Sequence, residues 1–158
     1  MKYTLSVLVE NQPGVLSKVV ALFSRRGFNI DSLAVGVTED ERISRITMVV
    51  NGDDYLIEQV EKQLNKIIPV IKVKNLTKQG EFTSCGLLLV KIGCEPRFIP
   101  EVLQIAKLTQ AVVAQVSTKT VTLRFAGETE KINVLIEMLR PYGIQEIVRT
   151  GQIAMEKG

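Results

Sequence analysis

An α+β fold made of two consecutive βαββαβ units is predicted by three observations on the sequence. Short segments in which every second residue is apolar alternate with longer segments whose apolar residues recur at helical spacing. The segments follow the order strand, helix, strand, strand, helix, strand, and this order occurs twice along the chain. With 158 residues, of which 46% are hydrophobic, the chain can form two small domains with separate cores.

The first strand and the first helix have the clearest patterns. A strand is predicted over residues 2–10, KYTLSVLVE, where alternate residues are apolar; these are Tyr3, Leu5, Val7 and Val9. The next segment, PGVLSKVVALFSRRG, predicts a helix that begins at Pro13 and ends just before Gly27. The predicted buried stripe of this helix consists of Leu16, Val19, Val20 and Phe23.

The remaining elements of the first unit lie within residues 28–76. Two strands, FNIDSLAVGV and RISRITMVV, are separated by the polar hairpin segment TEDE. The segment DDYLIEQVEKQLNKI predicts a second helix with Ile57, Val60, Leu64 and Ile67 along one face, and PVIKVKNL predicts the last strand. This order is the ferredoxin-like arrangement, in which two helices pack on one face of a four-stranded antiparallel sheet.

The second unit repeats the pattern with little sequence similarity to the first. Its predicted elements are CGLLLVKIG, PEVLQIAKLTQ, AVVAQVS, TVTLRFAG, TEKINVLIEMLRPYG and IQEIVRTGQIAM, the last with a kink at Gly151. The second of its helices aligns four apolar residues on one face, which are Ile132, Leu135, Ile136 and Leu139. We therefore expect domains at residues 1–76 and 84–158. The polar residues 77–83 are expected to form a linker between them.

Composition argues against most enzyme classes. The sequence has no His, so neither Ser-His-Asp nor Cys-His catalysis is available, although carboxylates, Lys and Arg remain for other chemistry. Cys85 and Cys94 lie nine residues apart and do not form a CxxC pair, so no metal site is expected. An acylphosphatase of this topology would need an Arg in the loop after the first strand, and ENQPG has none.

The charge pattern argues against nucleic-acid and membrane partners. The net charge is only +3, with acidic and basic residues interspersed. RNA-recognition domains share this topology, but the central strands here lack the aromatic residues on which bases stack. We find no signal peptide, transit segment or membrane-length apolar run. The expected location is the bacterial cytoplasm, or the plastid stroma if the gene is plastid-encoded.

The turn ENQPG, residues 10–14, is the most distinctive polar feature of the sequence. A helix start exposes unpaired N–H groups and a partial positive charge, which can hold a carboxylate or a phosphate. Asn11 supplies donor and acceptor atoms, Gly14 lets a ligand approach the backbone, and Asn29 lies where the second strand begins. The alternative is that Asn11 or Gln12 only caps the helix.

The chain resembles the acetolactate synthase (acetohydroxyacid synthase) small-subunit family. SVLVEN, PGVLS, LFSRRGFNI and ISRIT have the family's order and spacing within residues 1–76. LLLVKI and RTGQIAM resemble parts of its second domain. In this family the first domain is an ACT domain, a βαββαβ module that binds small effectors, usually amino acids.

The resemblance implies a regulatory subunit without catalysis of its own. Its partner would be the large catalytic subunit, which carries thiamine diphosphate, Mg²⁺ and FAD, so no cofactor is expected in this chain. The small subunit would raise the activity of that partner and confer feedback inhibition by valine or another branched-chain amino acid. It would form a homodimer through the ACT domain.

The resemblance also implies an effector site between the two chains of the dimer. Carried over by position, Asn11, Gly14, Val15 and Leu16 come from one chain, and Asn29 and Ile30 come from the other. Two other functions stay open from the sequence. The chain could be a free-standing amino-acid-sensing ACT regulator of a different enzyme, or an enzyme in its own right.

Overall fold

The computed structural model describes all residues from Met1 to Gly158. The chain forms two units by its internal contacts, one of residues 1–83 with 151–158 and one of residues 84–150. Each unit contains a four-stranded antiparallel arrangement with helices, so the predicted α+β class and ferredoxin-like topology are confirmed. No helix of the chain combines the length and the apolar character that a bilayer crossing requires.

The first unit follows the predicted element order. Its elements are β1 (Lys2–Glu10), α1 (Val15–Arg25), β2 (Ile30–Val37), β3 (Ile43–Asn51), α2 (Asp54–Asn65), β4 (Val70–Asn75) and the short helix α3 (Leu76–Gln79). The strands pair in the order β2-β3-β1-β4, with every neighbouring pair antiparallel.

The core of the first unit lies between one face of this sheet and the helices α1 and α2. The alternate residues predicted for the buried face of β1 are all buried, and they are Tyr3, Leu5, Val7 and Val9. Helix α2 buries Ile57, Val60 and Leu64 against them, as its stripe predicts. The other residues of β1 therefore point to the opposite face of the sheet, which we call the outer face.

Helix α1 begins two residues later than predicted and presents a different stripe to the core. Its first residue is Val15, and Gly14 precedes it with a φ of +85°. Its buried residues are Val15, Val19, Leu22 and Phe23, whereas Leu16 is 40% exposed and Val20 is only half-buried. The predicted stripe and the observed buried row share Val19 and Phe23, but the helix face that packs on the sheet is turned toward Val15 and Leu22.

The last eight residues pack on the first unit. The amide of Gln152 donates to Ser32 Oγ at 2.8 Å, and the amide of Lys157 donates to the Glu81 carbonyl at 3.1 Å. Ala154 is only 7% exposed. Strand β9 (Ile153–Glu156) pairs with β5 (Phe82–Gly93), whose first two residues also belong to this unit, and by its contacts β9 belongs to the unit formed by residues 1–83.

The second unit has the same strand order as the first. Its elements are β5 (Phe82–Gly93), α4 (Ile99–Thr109), β6 (Val112–Val116), β7 (Thr120–Gly127), α5 (Thr129–Leu139) and β8 (Ile144–Arg149), with strands ordered β6-β7-β5-β8. Its separate core includes Leu88, Val90 and Ile92 of β5. Helix α5 adds its predicted stripe, Ile132, Leu135, Ile136 and Leu139.

The units differ from the predicted division at 1–76, 77–83 and 84–158. Within the predicted linker 77–83, residues 77–79 lie in α3 and residues 82–83 begin β5, so only Gly80 and Glu81 lie between these elements. The kink predicted at Gly151 is a break between β8 and β9, and the residues after it join the first unit. Local polarity indicated a linker, but backbone pairing and long-range contacts decide where a compact unit ends.

We expect Gly14→Ala to destabilise the first unit by roughly 1–2 kcal/mol, since L-residues other than Asn and Asp are strained at this φ. A Cβ at Gly14 would meet no atom within 4 Å, so the cost comes from backbone conformation alone. Gly14→Asn should therefore cost less. Urea unfolding of the full chain measures the stability of both variants. Equal losses in the free energy of unfolding for Gly14→Ala and Gly14→Asn would contradict this explanation.

We expect Gly151→Ala to release the C-terminal segment, because a Cβ there would lie 2.2 Å from the Leu33 carbonyl oxygen. A backbone atom cannot move aside as a flexible side chain can, and overpacking of this kind costs about 1–3 kcal/mol. Hydrogen exchange at the Gln152 amide should accelerate. Gly36→Ala, where a Cβ meets nothing within 4 Å, is the control. Unchanged protection in Gly151→Ala would show that the segment is not held by this close approach.

Candidate functional site

The turn after β1 is held by backbone contacts to two neighbouring loops. The Glu10 amide donates to the Pro69 carbonyl at 2.9 Å, and the Asn11 amide donates to the Arg42 carbonyl at 2.8 Å. The side chain of Asn11 adds a second contact to the β2–β3 hairpin, because Nδ2 donates to the Glu41 carbonyl at 2.9 Å. These bonds leave Asn11 Oδ1 without a protein donor.

The β2–β3 hairpin that receives these bonds is held by an ion pair. Arg42 contacts the Asp40 carboxylate through Nε at 3.0 Å and through an Nη atom at 2.9 Å. The Arg42 amide donates to the same carboxylate at 3.0 Å. The Arg42 side chain first, and its amide second, lower the pKa of Asp40 from its ordinary value. The hairpin therefore keeps this ion pair at neutral pH.

The start of α1 has no side-chain cap. Gly14 occupies the cap position, and no side chain accepts a hydrogen bond from the first-turn amides. Neither the Asn11 nor the Gln12 side chain caps the helix, and Asn11 bonds to Glu41 instead, but the Gln12 carbonyl accepts a hydrogen bond from the Val15 amide at 3.4 Å. Unpaired amides and the aligned peptide dipoles give such a helix start a partial positive charge. A carboxylate could accept hydrogen bonds there.

The two residues after Gly14 point in different directions. The side chain of Val15 is packed in the core and is only 4% exposed, and its amide donates to the Gln12 carbonyl at 3.4 Å, so Val15 supports the turn and does not present its side chain to a ligand. Leu16 lies on the exposed side of α1, next to Val20 and Ala21. Leu16 is therefore the aliphatic side chain that this turn presents to a ligand.

Asn29 and Ile30 lie at the start of β2. Asn29 is exposed, and its Nδ2 donates to Asp31 Oδ1 at 3.0 Å, which leaves the Asn29 Oδ1 without a protein donor. Ile30 is half-buried and packs against the first core. This end of the strand thus offers a polar acceptor beside an aliphatic surface.

The structure places these two groups of residues at opposite ends of β3. Glu10, just before Asn11, pairs with Ile43, whereas Ile30, just after Asn29, pairs with Val50. Seven residues separate Ile43 from Val50, which corresponds to roughly 23 Å along a strand. One chain therefore does not bring the two groups together. A site that uses both needs a second copy of the chain.

Sequence reasoning missed the hairpin that supports Asn11. The carbonyls of Glu41 and Arg42 hold the turn, and TEDE in the sequence indicates a hairpin but not its contact with the end of β1. It also missed Arg45 on the outer face, which is considered below. No group of three His, Cys, Asp or Glu side chains gathers in the arrangement of a metal site.

Family models match both parts of the chain. Residues 5–72 match the model described as the AHAS small subunit-like ACT domain. Residues 86–158 match the model described as the small subunit of acetolactate synthase. The two matches together cover nearly the whole chain and agree with the resemblance found in the sequence.

Full-length relatives agree with these models. The acetolactate synthase small subunit of Mycolicibacterium smegmatis is 44% identical over 99% of this chain and 91% of its own length. The acetolactate synthase small subunit of Mycobacterium leprae is 45% identical over 99% of this chain and 92% of its own length. The crystal structure of the acetolactate synthase small subunit from Thermotoga maritima superposes with a TM-score of 0.91 at 34% identity, covering 100% and 98% of the two chains. The chain belongs to the acetolactate synthase small-subunit family, and its first unit carries that family's ACT domain.

Proposed function

We propose that this chain is the regulatory partner of a large acetolactate synthase subunit. It raises the activity of that subunit and makes it sensitive to feedback inhibition by valine or another branched-chain amino acid. Thiamine diphosphate, Mg²⁺ and FAD belong to the catalytic partner, and this chain supplies no catalytic residue. Family membership and the names of the relatives support the partner.

The effector site in this proposal lies between the ACT domains of a homodimer. The amides of Gly14 and Leu16 in one chain donate to the carboxylate of the amino acid, whereas the Val15 amide already donates to the Gln12 carbonyl at 3.4 Å. The Oδ1 atoms of Asn11 in that chain and Asn29 in the facing chain accept from its ammonium group. Both oxygens lack a protein donor, which supports this role.

Aliphatic surface from both chains would enclose the effector's side chain. Leu16 contributes from the first chain and Ile30 from the facing chain, whereas the side chain of Val15 stays in the core. The observation that carries the proposal is the start of α1, which is uncapped, begins at a left-handed glycine and is held by the β2–β3 hairpin.

Regulation follows from the position of the site between two chains. An effector changes the activity of a distant catalyst only through different affinities for two arrangements of the assembly. A site shared by two chains binds tightly only when their ACT domains have the matching arrangement. A coupling free energy of about 1–3 kcal/mol is typical of such regulation. No large rearrangement within either unit is required.

We expect Asn11→Ala and Asn29→Ala to keep the activation of the large subunit and to weaken inhibition by valine about tenfold or more. Each variant removes one acceptor for a charged ammonium group, and such bonds contribute about 1.5–3 kcal/mol. The measurement is acetolactate formation by the large subunit alone, with this chain, and with this chain plus increasing valine, leucine or isoleucine.

Asn65→Ala is the matched control, since Asn65 is an exposed residue at the end of α2 whose side chain contacts only the helix carbonyl of Glu61. Full valine sensitivity in both Asn11→Ala and Asn29→Ala would remove the assigned site. Identical synthase activity with and without this chain would remove the proposed function. Valine binding without any effect on the synthase would instead identify a free-standing amino-acid sensor.

A further inference from the structure

The outer face of the first sheet carries a cleft of about 370 Å³ that the effector proposal does not use. Strands β1, β3 and β4 form its floor, and the C-terminal strand β9 forms one wall. The lining includes five charged side chains, which are Glu39, Arg45, Lys72, Lys74 and Glu156.

The strand register places two cations on either side of one apolar residue. Leu8 of β1 pairs with Arg45 of β3 and with Lys72 of β4. Directly paired residues share a face, so all three point to the outer face in one row. Their Cα atoms span two strand spacings, about 10 Å, and both outer side chains are long enough to meet above Leu8.

The charges of the cleft are only partly compensated. Lys74 pairs with Glu156 at 3.1 Å, whereas Arg45 and Lys72 form no ion pair. The Nε atom of Arg45 is shielded from water and has no hydrogen-bond acceptor. A shielded donor without a partner is unfavourable in a folded protein. The two Nη atoms of Arg45 are not shielded in this way and form no hydrogen bond within the chain, so they can donate to an acceptor placed in the cleft.

We propose that this cleft binds an oxyanion of the phosphate class through Arg45 and Lys72. A guanidinium group presents several donors in one plane, which match two oxygens of a tetrahedral anion, and an ammonium group adds a mobile positive charge. Glu39 lines the same cleft without an ion pair and opposes anion binding by its charge. Leu8 provides the apolar floor, which limits competition from water.

The site also involves the end of the chain. Ala154, Met155 and Glu156 line the cleft, and Glu156 holds Lys74 by an ion pair. An anion in the cleft would compete with Glu156 for Lys74 while adding contacts to the opposite wall. The affinity for the anion should therefore depend on the position of β9 against the sheet.

Titration of the full chain with inorganic phosphate tests the proposal. We expect saturable binding by calorimetry and a shift of the Arg45 Nε–H signal in ¹H–¹⁵N spectra, with sodium chloride of equal ionic strength as the reference. Arg45→Met should weaken binding about tenfold or more, as expected for loss of charge-assisted bonds. Lys72→Gln should weaken binding, and Glu39→Gln should strengthen it. Sulfate should bind as well, since the donors recognise an oxyanion.

Arg26→Met is the matched control, because it removes the same charge from an exposed position at the end of α1. Its phosphate affinity should equal that of the wild type. If Arg45→Met does not fold, the affinities of Lys72→Gln and Glu39→Gln test the proposal instead. Both residues are exposed, so these variants should fold. Binding no stronger than the chloride reference, or affinity that none of the cleft variants changes, would overturn the proposal.

Discussion

Strand β1 is the constraint on which the first unit depends. It is one of the two central strands of the sheet, and it pairs with β3 along its whole length and with β4 on its other side. Its alternation sends one set of residues into the core, where burial of each large aliphatic side chain contributes about 1.5–3 kcal/mol. A one-residue slip would exchange the two faces, so this register is strongly determined.

Both sites discussed here follow from that register. At the end of β1 the chain must turn into α1. Hydrogen bonds hold this turn to Arg42, directly before β3, and to Pro69, directly before β4. On the outer face, the same register places Leu8 between Arg45 and Lys72. The proposed effector site and the proposed anion site therefore lie on the same strand, one at its end and one on its outer face.

The C-terminal segment connects the end of the chain to the first unit. Residues 151–158 leave the second unit after β8 and return to the first, where Gly151 approaches the backbone of Leu33 and Gln152 bonds to Ser32. The chain thus passes between the units twice, once within β5, between Thr83 and Ser84, and once after β8. A truncation that removes the last residues would change the first unit as well as the end of the chain.

Much of the fold could be predicted from local patterns. The alternation in β1 and the stripes of α2 and α5 agree with the observed cores, because the periods of strands and helices are properties of neighbouring residues. The family resemblance also depended only on short segments. Because the sequence contains no His, its composition indicated a binding site at the helix start rather than a catalytic group.

The tertiary structure decided what local patterns left ambiguous. The stripe predicted for α1 shares only Val19 and Phe23 with the row that packing on the sheet buries, which also contains Val15 and Leu22. The contact of Asn11 with Glu41 and the return of residues 151–158 join positions far apart in sequence. Local periodicity carries no information on such pairs, because their contacts form only when the strands pair and the core closes.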